Sequence, residues 1–109
     1  MSTRTNIKLI DQFGEILLYK HHDGYPEGGP GVVSFLRHHS EKNSESAEEL
    51  ANELIANTEV RVSSSIHGDI EWYYEVDMVH KKIDVFETSW DSDDREFKES
   101  HPFIQEVTA

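Results

Sequence analysis

Residues 17–36 read LLYKHHDGYPEGGPGVVSFL, and this stretch decides how the rest of the chain is arranged. Its first residues are mostly apolar and predict a β-strand, which breaks at Asp23 and Gly24. A loop rich in glycine and proline follows, and Pro30 suits the first turn of a helix because its missing N–H costs nothing there. Four of the six glycines of the chain lie in this loop. We therefore predict a shaped loop between a strand and a helix.

Regular elements are predicted on both sides of this loop. Residues 4–10 and 15–22 form a β-hairpin, with Gly14 in the turn. After the loop come two amphipathic helices, of which the second opens with the capping box Ser46-x-x-Glu49. Its apolar stripe is formed by Ala47, Leu50, Ala51, Leu54 and Ile55.

The second half of the chain predicts three strands at residues 59–66, 70–78 and 83–86, the middle one with the clearest alternation of apolar and polar side chains. The element order is therefore ββααβββ. This order predicts an α+β fold, a two-layer sandwich in which two helices cover one face of a mainly antiparallel sheet. The order of the strands across the sheet stays open.

The domain organisation follows from the loss of periodicity after residue 88. Residues 1–88 are predicted to form a single α+β domain. Residues 89–109 mix charged and aromatic side chains without a period, and we interpret them as an irregular acidic C-terminal tail.

The composition and net charge of the chain limit the kinds of partner that it can bind. The chain has 109 residues, no cysteine and a formal net charge of −12, from 22 acidic and 10 basic residues. The acidity disfavours direct binding to nucleic acid or to an anionic membrane, and it favours a basic partner. Without cysteine or a long apolar run, we expect a cytoplasmic protein, and a homo-oligomer is possible.

Three stretches resemble one protein family. They are MSTRTNI at 1–7, YKHHDGYPEG at 19–28 and IHGDIEWYY at 66–74. The family is a group of small bacteriophage and prophage proteins with the motifs M-x-T-R-x-x-I, Y-R-H-x-D-G-Y-P-E-G and I-H-G-D-I-E-Y-x-Y. The chain departs from it at Lys20, where the family has arginine, and at Trp72, where it has tyrosine. The resemblance implies a phage or prophage origin, and therefore the cytoplasm of a host cell as the location. It implies no catalytic residue.

Histidine and aspartate side chains raise the question of a metal or a hydrolytic site. Imidazole and carboxylate suit zinc, manganese or iron, and His21, His22, Asp23, His67 and Asp69 could supply them. However, neighbours along a strand point to opposite faces, and no helical H-x-x-x-H pair exists. No G-x-S-x-G motif, cysteine or phosphate loop supplies a nucleophile. We therefore predict no metal, no cofactor, no catalytic residue and a protein that is not an enzyme.

The glycine-rich loop is a candidate ligand site. Backbone amides that lead into a helix can hold an anion, so a small or nucleotide ligand is one hypothesis. A loop whose glycines serve only chain geometry is the competing interpretation. The candidate ligand-binding residues are Lys20, His21, Asp23, Gly24, Tyr25, Arg37, His67 and Asp69.

Acidic residues form a candidate partner surface in two groups, one on the second helix and one in the predicted tail. Such a surface would suit a basic, nucleic-acid-binding host protein, whereas a solvated helix face is the competing interpretation. The candidate partner-binding residues are Glu45, Glu48, Glu49, Glu53, Trp90, Asp91, Asp93, Asp94 and Phe97. The leading hypothesis is a non-enzymatic phage accessory protein that binds a host protein stoichiometrically, in counter-defence or host takeover. The first alternative is the ligand-binding module, and the second is a metal-dependent hydrolase.

Overall fold

A computed structural model describes residues 4–21, 32–42, 46–58, 60–64, 70–88 and 95–102. These residues form a mixed fold of two helices and one six-stranded sheet, so the predicted combination of helices with a sheet is confirmed. In chain order the elements are β1 (Thr5–Asp11), β2 (Gly14–Lys20), α1 (Val32–Lys42), α2 (Ala47–Asn57), β3 (Val60–Val62), β4 (Trp72–Asp77), β5 (Lys82–Thr88) and β6 (Arg95–Pro102).

The described strands lie side by side in the order β3-β2-β1-β4-β5-β6. Neighbours run antiparallel except β1 and β4, which are parallel and form what we call the central seam. Backbone hydrogen bonds extend the pairing of β1 with β4 at both ends of the central seam. The Glu71 N–H donates to the Arg4 carbonyl at 2.9 Å, and the Met78 N–H donates to the Ile10 carbonyl at 2.8 Å.

Asp11 connects the first hairpin to helix α2. Its Oδ1 accepts hydrogen bonds from the N–H groups of Phe13 and Gly14, at 2.8 and 2.9 Å. Its Oδ2 accepts a hydrogen bond from the N–H of Ala47, the first residue of α2, at 2.9 Å. A carboxylate is favourable at a helix N-terminus because the first N–H groups there have no partner within the helix. One side chain therefore fixes both the β1–β2 turn and the start of α2.

The main core combines apolar side chains of both helices with side chains from one side of the sheet. Side chains in register across the central strands, such as Ile7, Leu18 and Tyr74, are fully buried there. Both helices add apolar side chains to the same cluster, as the stripe of α2 predicts for Leu50 and Leu54. The cluster consists of Ile7, Leu9, Leu18, Val32, Val33, Leu36, Ala47, Leu50, Ala51, Leu54, Val60, Tyr74, Val76, Met78, Ile83 and Val85.

Aromatic side chains cross the opposite side of the sheet in a single line. Asn6 lies opposite both Tyr19 and Tyr73, Tyr73 lies opposite Phe86, and Phe86 lies opposite Phe97. We call the four aromatic residues the aromatic row. The ring centroids of Tyr73 and Phe86 are 5.6 Å apart, and those of Phe86 and Phe97 are 5.7 Å apart. Tyr73 is 1% exposed and Phe97 is 54% exposed, so the row is buried at the centre of the sheet and open at β6.

Strand β6 corrects the prediction of an irregular tail. Residues Arg95–Pro102 pair with β5 over its whole length, which makes the observed order ββααββββ. The alternation rule missed β6 because Phe97 is its one large apolar residue and because a bulge between Val85 and Phe86 shifts the register. The remaining parts of the predicted tail, residues 89–94 and 103–109, lie outside the described residues.

One smaller expectation was wrong. Ile55 is predicted in the apolar stripe of α2 but is 41% exposed. Two further side chains depart from the usual burial of their residue types. Val62 is 62% exposed on the three-residue strand β3, and Asn6 is fully buried beside the aromatic row, where its Nδ2 donates to the Leu18 carbonyl at 2.9 Å. A buried amide is tolerated when it has such a partner.

Replacing Asp11 with asparagine should lower the melting temperature at neutral pH. The amide NH₂ of asparagine cannot accept a hydrogen bond, so one of the two acceptor positions used by Asp11 is lost. Hydrogen bonds from Ala47, then from Phe13 and Gly14, lower the pKa of Asp11. A carboxyl with a lowered pKa stabilises the fold above its unfolded pKa, and this contribution is lost as the pH falls through the folded pKa.

The free energy of unfolding measured between about pH 5 and pH 2 should therefore decline less steeply for Asp11→Asn than for the unchanged chain. Glu15→Gln is the matched control, since it also removes one carboxylate from the same hairpin, from a side chain that is 60% exposed. Equal pH slopes for Asp11→Asn and Glu15→Gln would contradict the role given to Asp11.

Candidate functional site

Of the candidate ligand-binding residues, Lys20, His21 and Arg37 are described by the structure. Lys20 ends β2 on the core side of the sheet, opposite Thr5 and Val60, and is only 7% exposed. Arg37 is partly exposed on α1. The other candidates lie outside the described residues. They are Asp23, Gly24, Tyr25, His67 and Asp69.

His21 and Lys20 do not converge, although they are adjacent in the chain. His21 is exposed, and its Nδ1 lies 3.0 Å from the hydroxyl oxygen of Tyr19, with which it shares a hydrogen bond. Tyr19 belongs to the aromatic row, which lies on the side of the sheet opposite to Lys20. The guanidinium carbon of Arg61 on β3 lies 5.1 Å from the centre of the Tyr19 ring. This end of β2 therefore places a cation on each side of the sheet.

Within residues 4–21, 32–42, 46–58, 60–64, 70–88 and 95–102, no group of three or more His, Cys, Asp or Glu side chains is arranged to hold a metal ion. His22, Asp23, His67 and Asp69, four of the five side chains considered above as metal ligands, lie outside this part of the chain.

The acidic group on α2 is smaller than predicted. Glu48 and Glu49 lie in its first turn and are exposed, and the Glu49 N–H donates to the Ser46 hydroxyl oxygen at 3.3 Å, as expected for the N-cap. Glu53 is different, because its Oε2 lies 3.3 Å from Nδ1 of His39 on α1 and its side chain is 24% exposed. The expectation that Glu53 belongs to a solvated face is therefore corrected. Glu45 lies outside the described residues.

Phe97 is the one candidate of the predicted tail that the structure describes. It lies on β6 at the open end of the aromatic row, with its ring edge-on to that of Phe86 at an interplanar angle of 71°. Such edge-to-face pairs are favourable beyond the area that they bury. Trp90, Asp91, Asp93 and Asp94 lie outside the described residues.

Charged side chains of β6 and β5 lie at the same edge of the sheet as Phe97, and they were not among the candidate site residues. Glu87 and Glu96 face each other across the two strands, on the side of the sheet opposite to Phe97. Lys98 binds both, with its Nζ 3.4 Å from Oε2 of Glu96 and 3.5 Å from Oε2 of Glu87. These carboxylates, Glu96 above all, raise the pKa of Lys98. Two carboxylates share one ammonium, so the group keeps a net charge of −1.

Glu99 extends this charged group toward the core. It lies opposite Val85, and its Oε2 is 3.2 Å from Nε2 of His101. Burial raises the pKa of the Tyr74 phenol, and the charge of Glu99 raises it further. We call Glu87, Glu96, Phe97, Lys98 and Glu99, together with the outer backbone of β6, the β6 edge. The one large apolar residue, Phe97, between the charged residues Glu96 and Lys98 was the sequence signal that could have identified it.

Comparison with models of known protein families, with curated proteins and with solved structures finds no match to this chain. Among the residues that the structure describes, neither helix has the length and apolar character needed to cross a membrane.

Proposed function

We propose that this chain is a non-enzymatic accessory protein of a phage or prophage that binds a basic host protein stoichiometrically. A partner that itself binds nucleic acid would carry the positive charge required. The net charge of −12 supports this proposal, because a strongly acidic surface speeds encounter with a basic protein and repels nucleic acid. The phage origin rests on the sequence resemblance alone.

The observation that carries the proposal is the exposed ring of Phe97 on an acidic edge strand. An apolar aromatic anchor with charged side chains at its margin is the usual composition of a protein–protein interface. Phe97 is 54% exposed on one side of the sheet, and on the other side Glu96 and Glu87 have 75% and 50% of their side chains exposed. This edge of the sheet therefore offers a partner an apolar contact on one side and a negative field on the other.

The arrangement we propose for the whole domain is a two-layer sandwich with both helices on one side of the sheet. The shared core of α1, α2 and the sheet supports it. In this arrangement the helices occupy one side of the sheet, and the partner would approach from the open end of the aromatic row.

Binding of the host partner should weaken steeply as the salt concentration rises. The Debye length falls from about 10 Å at 0.1 M to about 3 Å at 1 M, so a long-range attraction is lost. Reversing Asp91, Asp93 and Asp94 to lysine should lower the affinity mainly through the association rate. The measurement is capture of host proteins on the immobilised chain, followed by binding kinetics of the purified partner at several salt concentrations.

One control makes this experiment decisive. Reversing Glu48 and Glu49 to lysine changes exposed charge on α2, away from β6. Reversing Asp91 and Asp93 alone changes the net charge by the same amount, so the comparison of these two double variants separates a local effect from one of total charge. A partner whose affinity is independent of salt and of all these reversals would overturn the proposal.

One observation favours the ligand-binding module as the second candidate. Lys20 is buried at the end of β2, directly before the glycine-rich loop, where it could contribute to a site formed by that loop. In that case Lys20→Ala and Tyr25→Ala should abolish the biological effect of the chain, and the reversal of Asp91, Asp93 and Asp94 should leave it intact. A change in host growth or phage fitness caused by the unchanged chain can serve as the assay.

A further inference from the structure

We propose that the β6 edge accepts an extended segment of the partner as a seventh strand, and that this segment alternates basic and apolar residues. The inference rests on the proposed function and adds to it the conformation and the sequence pattern of the bound partner segment.

The first argument is the position of β6 in the sheet. β6 is the last strand in the order β3-β2-β1-β4-β5-β6 and pairs with β5 on one side. In the described part of the chain no strand pairs with its other side. Alternate N–H and C=O groups of an edge strand point away from the sheet, and they form a template for one more strand. β6 is also eight residues long, against three for β3 at the opposite edge.

The second argument is the chemistry on the two sides of β6. Phe97 lies on the side of the aromatic row, and Glu96 lies with Glu87 on the side of the helices. Side chains of an added strand alternate between the same two sides. Apolar residues of that strand would meet Phe97, and basic residues would meet the two carboxylates, which Lys98 neutralises only in part.

The third argument excludes a second copy of this chain as the occupant. Each copy carries a net charge of −12, so two copies repel one another. The register shift in β6 and its lysine blunt the edge against indiscriminate strand pairing, so an added strand needs a further attraction such as opposite charge. A basic segment meets no such repulsion. The β6 edge therefore disfavours a second copy of this chain and favours a basic segment of a partner.

The test uses two synthetic peptides with the full-length chain. The first alternates four lysines with four valines, and the second has the same sequence with one central valine replaced by proline. Both carry the same charge, but proline lacks the N–H that a strand pairing needs and disrupts the pairing. At physiological salt we expect the first peptide to bind at least about tenfold more tightly, which corresponds to ~1.4 kcal/mol. We also expect alternate β6 amides to gain protection from hydrogen exchange.

Substitutions in the chain test whether the peptide binds at the β6 edge. Phe97→Ala should weaken binding of the lysine–valine peptide several-fold, while Phe13→Ala should not, although Phe13 is 87% exposed in the β1–β2 turn. Glu96→Gln should weaken binding more than Glu48→Gln, which removes the same charge from α2.

Two results would contradict the proposal that a partner segment adds a seventh strand. Equal affinity for both peptides would mean that charge alone attracts them, and the proposed binding of a basic partner would survive this result. A doubled molecular mass with β6 amides already protected in the free chain would mean that a second copy occupies the edge. A host partner that binds independently of salt would instead defeat the proposed function, whatever the peptides do.

Discussion

A chain that ends at Thr88 should lose about 2–5 kcal/mol of its free energy of unfolding, roughly the burial of one or two large apolar side chains. Without β6, the aromatic contact between Phe86 and Phe97 disappears. The strand β5, whose Ile83 and Val85 are fully buried, becomes the edge of the sheet. Since small domains have only 5–15 kcal/mol in total, this loss should be visible as a large drop in the urea midpoint.

A chain that ends at Pro102 is the control for this truncation, because it keeps β6. The difference between the two chains measures the contribution of residues 89–102 alone. If the chain ending at Thr88 unfolded at the same urea concentration as the chain ending at Pro102, the pairing of β5 with β6 would contribute nothing to stability, and β6 would not be part of the folded domain.

Leu54→Ala should destabilise the chain by about 2–5 kcal/mol, whereas Ile55→Ala should cost less than about 1 kcal/mol. The two residues are neighbours on α2, and both changes remove a branched apolar side chain of the same size. Leu54 is fully buried between α2 and the sheet, while Ile55 is 41% exposed. The loss at Leu54 includes a cavity that the surrounding core fills only in part.

Chemical denaturation of both variants, followed by circular dichroism, measures this difference. The shared helix makes the pair informative, because helix propensity changes in the same direction for both substitutions. Similar losses at Leu54 and Ile55 would show that the buried side of α2 is placed wrongly.

The local elements were predictable because their signals lie within a few residues. The β1–β2 hairpin needs a turn between two apolar stretches, and the start of α2 needs the Ser46 cap, which the structure contains. The side of α2 that faces the core was predicted at Leu50 and Leu54. The parallel pairing of β1 with β4 was not predictable. Thr5 and Trp72, which pair across the two strands, are 67 positions apart, and the residue pattern of one strand does not indicate which distant strand it pairs with.

The surroundings of the candidate site residues depend on contacts that spacing along one element does not reveal. Phe97 was identified from an apolar residue among acids, but its strand was not, because an edge strand has charged residues on both sides and shows no alternation. Glu53 was misassigned because its contact with His39 depends on how two helices pack, which spacing along one helix does not reveal. Lys20 and His21 were grouped by proximity in the chain, although a strand places neighbours on opposite sides.

The central seam also has a consequence for the order of events in folding. Strands β1, β2 and β3 on one side of the seam, and β4, β5 and β6 on the other, pair with antiparallel neighbours. The β1–β2, β4–β5 and β5–β6 pairs join strands that follow one another in sequence and need only short loop closures, whereas both helices lie between β2 and β3. The seam joins residues far apart along the chain, and its closure carries the larger entropic cost. We therefore expect the pairing of β1 with β4 to form late in folding, after the three local strand pairs.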